Sequence, residues 1–115
     1  MPKAPESTIW MDDALNYIRN HACENISVKD VMRHVDKSRK SLERHFVAVL
    51  GKTPKEVIHD ERLRAVVAMV DESELAIGEL AEKCSFSSHS AFTIYFKRMV
   101  GVTPTQYRAS KRTAL

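Results

Sequence analysis

The stretches "SRKSLERHFVAVLGKTP", from Ser38, and "SSHSAFTIYFKRMVGVTP", from Ser87, are imperfect copies of one another. Ser38 and Ser88, Leu42 and Phe92, Phe46 and Phe96, Gly51 and Gly101, Thr53 and Thr103, and Pro54 and Pro104 are all 50 positions apart. Upstream, Val28 and Ile77, Val31 and Leu80, Met32 and Ala81, and Val35 and Cys84 are 49 apart. The second copy therefore holds one extra residue, between two segments of helical periodicity. A turn absorbs an insertion, whereas a residue added inside a helix rotates its apolar face by about 100°. What is repeated is thus a pair of helices and the turn between them. A chain of 115 residues is one domain or two very small ones, each near the lower limit for folding alone.

The periodicity predicts helices throughout. Trp10, Ala14, Leu15, Ile18 and Ala22 mark one over about Met11 to Ala22, behind a polar linker or tail at residues 1–8. Ser27 caps the next, with Asp30 near the capping-box position and Val28, Val31, Met32 and Val35 as its stripe. After a break at Asp36-Lys37, Ser38 caps a helix to about Leu50 that turns Leu42, Phe46, Val49 and Leu50 inward and ends at Gly51. Pro54 opens a helix over 54–71, about 27 Å long, with Leu63, Val66, Met69 and Val70 on one side. The pattern then restarts with Ile77, Leu80, Ala81 and Cys84. Another helix follows over His89 to Val100, and a last one runs from Thr103-Pro104 to about Lys111. Trp10, Leu42, Phe46, Phe92, Phe96 and Met99 are expected in the core, with Phe86 and Tyr95 packed beside them. The fold class is all-α.

The copies share their apolar skeleton and differ in polar surface. The first shows Arg39, Lys40, Glu43 and Arg44; the second shows Ser88, His89, Ser90, Thr93 and Lys97. Two short helices, a tight turn and a polar second helix make the helix-turn-helix plan, whose second helix fits the DNA major groove. Arg39, Lys40 and Arg44 suit base edges and phosphates, and Glu43 suits a cytosine amino group. The same cluster also reads as an ordinary solvated face. A helical module that binds RNA polymerase or another partner, with no direct DNA contact, is the alternative function.

The segments "VMRHVDKSRKSLERHF", "ERLRAVVAMV" and "IGELAEKCSFSSHSAFTIYFKRMVGVTPTQYR", in this order, resemble the DNA-binding domain of the AraC/XylS bacterial transcription regulators over about residues 10–110. Within the family the xylose-responsive regulators are the most similar. The resemblance implies seven helices in an AraC-type domain over 9–112. Its helix-turn-helix units lie at about 27–51 and 77–101 on the long central helix. It implies binding to two adjacent major-groove segments of promoter DNA and contact with RNA polymerase, as an activator. The family's reading positions fall on Arg39, Lys40, Glu43 and Arg44, and on His89, Ser90 and Thr93. Ile94 departs from the Arg common in the family, and Asp36 and Ser85 replace its usual turn glycines. Such domains are normally joined to an effector-binding or dimerising region that 115 residues do not accommodate, so a fragment of a larger regulator is expected.

Composition bounds the other readings. Hydrophobic residues at 43% and charged residues at 29% argue against disorder, and a net charge of +3 is compatible with a polyanion. There is no run of 18 apolar residues and no apolar leader in "MPKAPEST", so no membrane span is expected. Cys23 and Cys84 are few and far apart, which suits a reducing cytoplasm, and Cys84 reads as a small buried hydrophobe. His21-x-Cys23 lacks the second pair that a zinc site needs, so neither metal nor cofactor is expected. His45 is expected at phosphate, and His34 and His59 at the surface or in packing. Arg108, Lys111 and Arg112 are divided between phosphate contact and solubility. His59 beside Asp60 and Glu61 lies on a regular helix with no implied pocket, and catalytic motifs are missing, so no enzyme is expected.

Overall fold

A computed structural model describes residues 6–113, with side chains over residues 9–111. Residues 1–5 of the expected tail and the Arg112 side chain lie outside the described residues. Seven helices are present among the described residues: α1 (Glu6–Asn20), α2 (Val28–Val35), α3 (Arg39–Leu50), α4 (Pro54–Glu72), α5 (Ile77–Lys83), α6 (His89–Val100) and α7 (Pro104–Thr113). The all-α architecture with two helix-turn-helix subdomains and a long linking helix is the one expected. α1 starts at Glu6, inside the segment assigned to a tail, so its first turn precedes the apolar stripe that marked it.

The chain divides into two compact units, residues 1–62 and 63–115, with the division inside α4. In the first unit Met11, Ala14 and Ile18 of α1, Val31 and Val35 of α2, Leu42 and Phe46 of α3, and Val57 and Ile58 of α4 form one core. In the second, Val66, Val70, Leu80, Ala81, Cys84, Phe92 and Phe96 are buried. Its aromatic rings meet in series, with centroids 5.1 Å apart for Phe86 and Phe92, 6.1 Å for Phe92 and Phe96, and 5.6 Å for Phe96 and Tyr107. Cys84 is buried, and its thiol donates to the Met69 thioether sulfur at 3.5 Å.

The punctuation of the repeat is chemical. α2 ends at Asp36 in the left-handed region, φ 53°, and the Lys37 N–H donates to the Met32 carbonyl. α5 leads to Ser85 at φ 63°, and the Phe86 N–H donates to the Ala81 carbonyl. Both are Schellman-type closures, in which glycine is favoured but a short polar side chain is accepted. Ser38 Oγ accepts from the Ser41 N–H and Ser88 Oγ from the Ala91 N–H, so α3 and α6 start alike. Gly51 and Gly101 end them at positive φ, where a Cβ is disfavoured. Thr53 with Glu56, and Thr103 with Gln106, then make reciprocal capping boxes in front of the buried Pro54 and Pro104.

Three expected core positions lie outside. Val49 is 64% exposed, Met99 48% and Leu50 38%. Val49 and Met99 each stand seven residues past a fully buried residue, Leu42 and Phe92, on the same helical face. They belong to a last turn that runs past its covering neighbours, which periodicity alone does not register. Trp10 is half-buried at the edge of the first core, where the Lys37 ammonium lies 5.5 Å from its ring centroid.

One cap is not shared. Ser27 and Asp30 form a full capping box before α2, while the equivalent Ala76 gives α5 no side-chain cap. Glu79 already stands in the box position, and Ala76 has the extended backbone of an N-cap. Ala76→Ser is therefore expected to stabilise the second unit by about 1 kcal/mol, measured by thermal or urea unfolding. In the first box, hydrogen bonds from the Ser27 backbone N–H and then its hydroxyl, with the charge of Arg33, hold the Asp30 carboxyl below its ordinary pKa. A depressed carboxyl pKa contributes stability above the unfolded value, about pH 4, and loses it as the pH falls through the folded one. Asp30→Asn is expected to make acid unfolding shallower across that window, as followed by circular dichroism.

Candidate functional site

In each unit the second helix buries two residues one turn apart, Leu42 and Phe46 in α3, Phe92 and Phe96 in α6. At about 100° per residue this fixes the rotation of the helix and the set of side chains on its far side. On α3 that side carries Lys40 and Arg44, with Glu43 on its flank; Arg39 lies in the first turn, on the side of the buried pair, and all four are exposed. Arg39 reaches toward Glu43 one turn on, at 3.9 Å. A contact this long, with both side chains half exposed, holds neither in place, and either group is free to leave it for a stronger partner.

On α6 the corresponding side carries the exposed Ser90 and Lys97, with the half-buried Thr93 on its flank; His89 is exposed in the first turn, on the side of the buried pair. His89, Ser90, Thr93 and Ile94 line one shallow concavity. Ser88 does not share this freedom: its hydroxyl accepts the Ala91 N–H at 3.0 Å, so its first role is to start the helix. Ile94 occupies the place equivalent to Arg44, and Lys97 the place of Val47, itself half exposed. The exposed cations of α6, Lys97 and Arg98, thus sit in its last turn, whereas those of α3 sit earlier in the helix.

Two basic residues that sequence reasoning passed over join this surface. Lys29, near the start of α2, and Lys55, near the start of α4, line one concavity with Arg39, His59 and the apolar Ile58. Cations in the first turn of a helix oppose its dipole, so nothing in the stability of α2 or α4 calls for them. That opposition, Lys just behind an N-cap or a helix-opening Pro, was the signal available. An anion beside these residues would be attracted by helix ends and ammonium groups together.

Other basic residues are structural. His45, expected at phosphate, is half-buried; its Nδ1 lies 2.8 Å from the Ser41 carbonyl, and its ring meets the edge of Trp10 at 5.1 Å. One residue past Arg44, it is turned by about 100° away from the exposed side. His34 stacks on Tyr17 at 4.4 Å and contacts Asp13. Arg108 donates from Nε to the Val70 carbonyl at 3.0 Å and from Nη1 to the Leu75 carbonyl at 2.6 Å. It thereby satisfies an end carbonyl of α4 and the turn beyond. Lys111 reaches over the Tyr107 ring. Among the described residues no three His, Cys, Asp or Glu side chains gather as a metal site requires.

Comparison with known proteins gives a consistent pattern. The helix-turn-helix domain family matches residues 31–110. The xylose operon regulatory protein of Escherichia coli K12 is 37% identical over 95 residues, which cover 83% of this chain and 24% of that protein. The chain thus spans about a quarter of the length of the xylose operon regulatory proteins it matches. Among solved structures, an AraC-type transcriptional regulator from Chromobacterium violaceum superposes with a TM-score of 0.76 at 26% identity, covering 91% of this chain and 94% of that one. The DNA-binding domain of the global transcriptional factor AdpA, solved with a target DNA, has a TM-score of 0.76 at 24% identity, covering 90% and 93%; it shares the fold.

The division of labour at the start of α6 has a direct check. Ser88→Ala is expected to lower the stability of the second unit by about 1 kcal/mol, the usual loss for a serine N-cap, in thermal unfolding. Ser90→Ala, two residues on and free of that bond, is expected to leave the unfolding midpoint unchanged.

Proposed function

The chain belongs to the AraC/XylS family of helix-turn-helix transcription regulators, as its C-terminal DNA-binding domain, and from this premise we propose that α3 and α6 read two adjacent major-groove segments of promoter DNA. One observation carries the reading. A single scaffold, with the same turn closure, the same caps on its second helix and the same buried pair, occurs twice in the chain and presents different polar side chains at equivalent positions. A packing role would have no use for that difference, whereas recognition of two unlike base sequences requires it. The AdpA domain, which shares this fold, was solved with a target DNA, and this supports DNA as the partner.

In this reading Arg39, Lys40, Glu43 and Arg44 serve the first segment, and His89, Ser90, Thr93 and Lys97 the second. Ser88 places the second reader by capping it. Arginine at a base edge bonds guanine O6 and N7 in a fork that no other residue matches. Lys29 and Lys55 are suited to phosphate oxygens, which set register and orientation without reading sequence. The 19 residues of α4 make one uninterrupted helix of about 28 Å. No described helix is long and apolar enough to cross a membrane, in keeping with a cytoplasmic regulator. The xylose regulators extend well beyond the matched segment, and we place effector binding outside these 115 residues, with RNA polymerase as the protein partner in activation.

The decisive experiment is selection of bound duplexes from a random pool, followed by titration at two salt concentrations. Binding is expected to weaken steeply with salt and to specify two short segments one helical turn apart. Arg44→Ala is expected to cost about 1–3 kcal/mol in affinity and to relax choice at one base pair. Equal loss on all duplexes would make Arg44 a phosphate contact. Salt-insensitive or absent DNA binding would favour the protein-interaction module instead.

A further inference from the structure

The second reader contains a side chain that hydrogen bonding cannot use. Ile94 is 63% exposed near the middle of α6, about 200° round the helix axis from both Phe92 and Phe96. Single exposed apolar residues are ordinary on protein surfaces. The neighbourhood of this one is not: the exposed Ser90 lies one turn before it and the exposed Lys97 nearly one turn after, on the same side, with the half-buried Thr93 on the flank. With His89, Ser90 and Thr93 it lines a single shallow concavity. In the first unit the equivalent place holds the exposed Arg44.

We propose that Ile94 is a specificity-determining residue that recognises one thymine through its C5-methyl group. The inference rests on the reading of α6 as a base-reading helix. Of the four bases in double-stranded DNA, only thymine presents an apolar group in the major groove. Against any other edge, the Ile94 side chain would strip water from a donor or acceptor and offer nothing in return. Against thymine it covers a methyl group with its own methyls. The flanking Ser90, Thr93 and Lys97 hold the helix at the groove, so the methyl contact adds discrimination at one position. The two units then differ in kind: the first reads by charge and hydrogen bonds, the second in part by apolar shape.

The test uses the 115-residue chain and a duplex selected from a random pool. Each thymine in the bound site is replaced in turn by deoxyuridine, which removes the methyl group and leaves base pairing intact. Affinities are measured by fluorescence anisotropy. One such replacement is expected to weaken binding roughly three- to tenfold, the scale of one buried methyl contact. Ile94→Ala is expected to become indifferent to that replacement and to respond to other base changes as before. Its thermal unfolding should match the parent chain, since the residue lies outside the core. Specific binding with no thymine sensitive to the replacement would overturn the proposal, as would persistence of the sensitivity in Ile94→Ala. Failure to select any preferred duplex would overturn the DNA-reading assignment and this inference together.

Discussion

Burial of Phe46 in one unit and Phe96 in the other sets the rotation of the two surface helices, and the rest of the molecule depends on it. A helix that must hide one turn-spaced pair of large side chains has no freedom to rotate. Its opposite side is then presented at a fixed angle, whatever residues stand there. Fully burying an aromatic side chain of this size is worth about 2–3 kcal/mol, far more than any exposed ion pair on the same helix. Packing therefore decides orientation, and the polar side chains inherit it. For that reason Arg44 in one unit can be Ile94 in the other without disturbing the fold.

The helix ends supply the second constraint. Each pair closes through one residue with left-handed backbone, Asp36 or Ser85, and restarts on a serine hydroxyl. These devices act over a few residues and cost no core volume, which suits units this small. They also explain where the copies diverge. The extra residue of the second copy, Ser87, falls between the Schellman closure and the N-cap, the only stretch where neither is broken. α4 serves both units: Pro54, Val57 and Ile58 are buried in the first, and Val66 and Val70 in the second.

Legibility in the sequence followed the range of each interaction. Helix starts and stops were readable at Ser27, Ser38, Gly51, Pro54, Gly101 and Pro104 because a cap involves residues at most a few places apart. The central core residues were readable because a stripe of helical period must face something. The width and ends of the stripe were not. Val49 and Met99 keep the period but extend beyond the neighbour that would cover them. Arg108 looked like any basic residue near a chain end, since the carbonyls it satisfies, Val70 and Leu75, lie more than 30 residues away.

The candidate interface divides in the same way. The sequence by itself determined that two capped helices would each carry a distinct polar set, Arg39, Lys40, Glu43 and Arg44 against His89, Ser90, Thr93 and Lys97. A repeat with conserved apolar spacing allows nothing else. Only the tertiary structure decided that His45 turns inward to Trp10, that Lys29 and Lys55 gather beside Arg39, and that Ile94 shares a concavity with His89, Ser90 and Thr93. The physical reason is that helical period assigns a side chain to a direction, while exposure and company depend on which distant element arrives on that side.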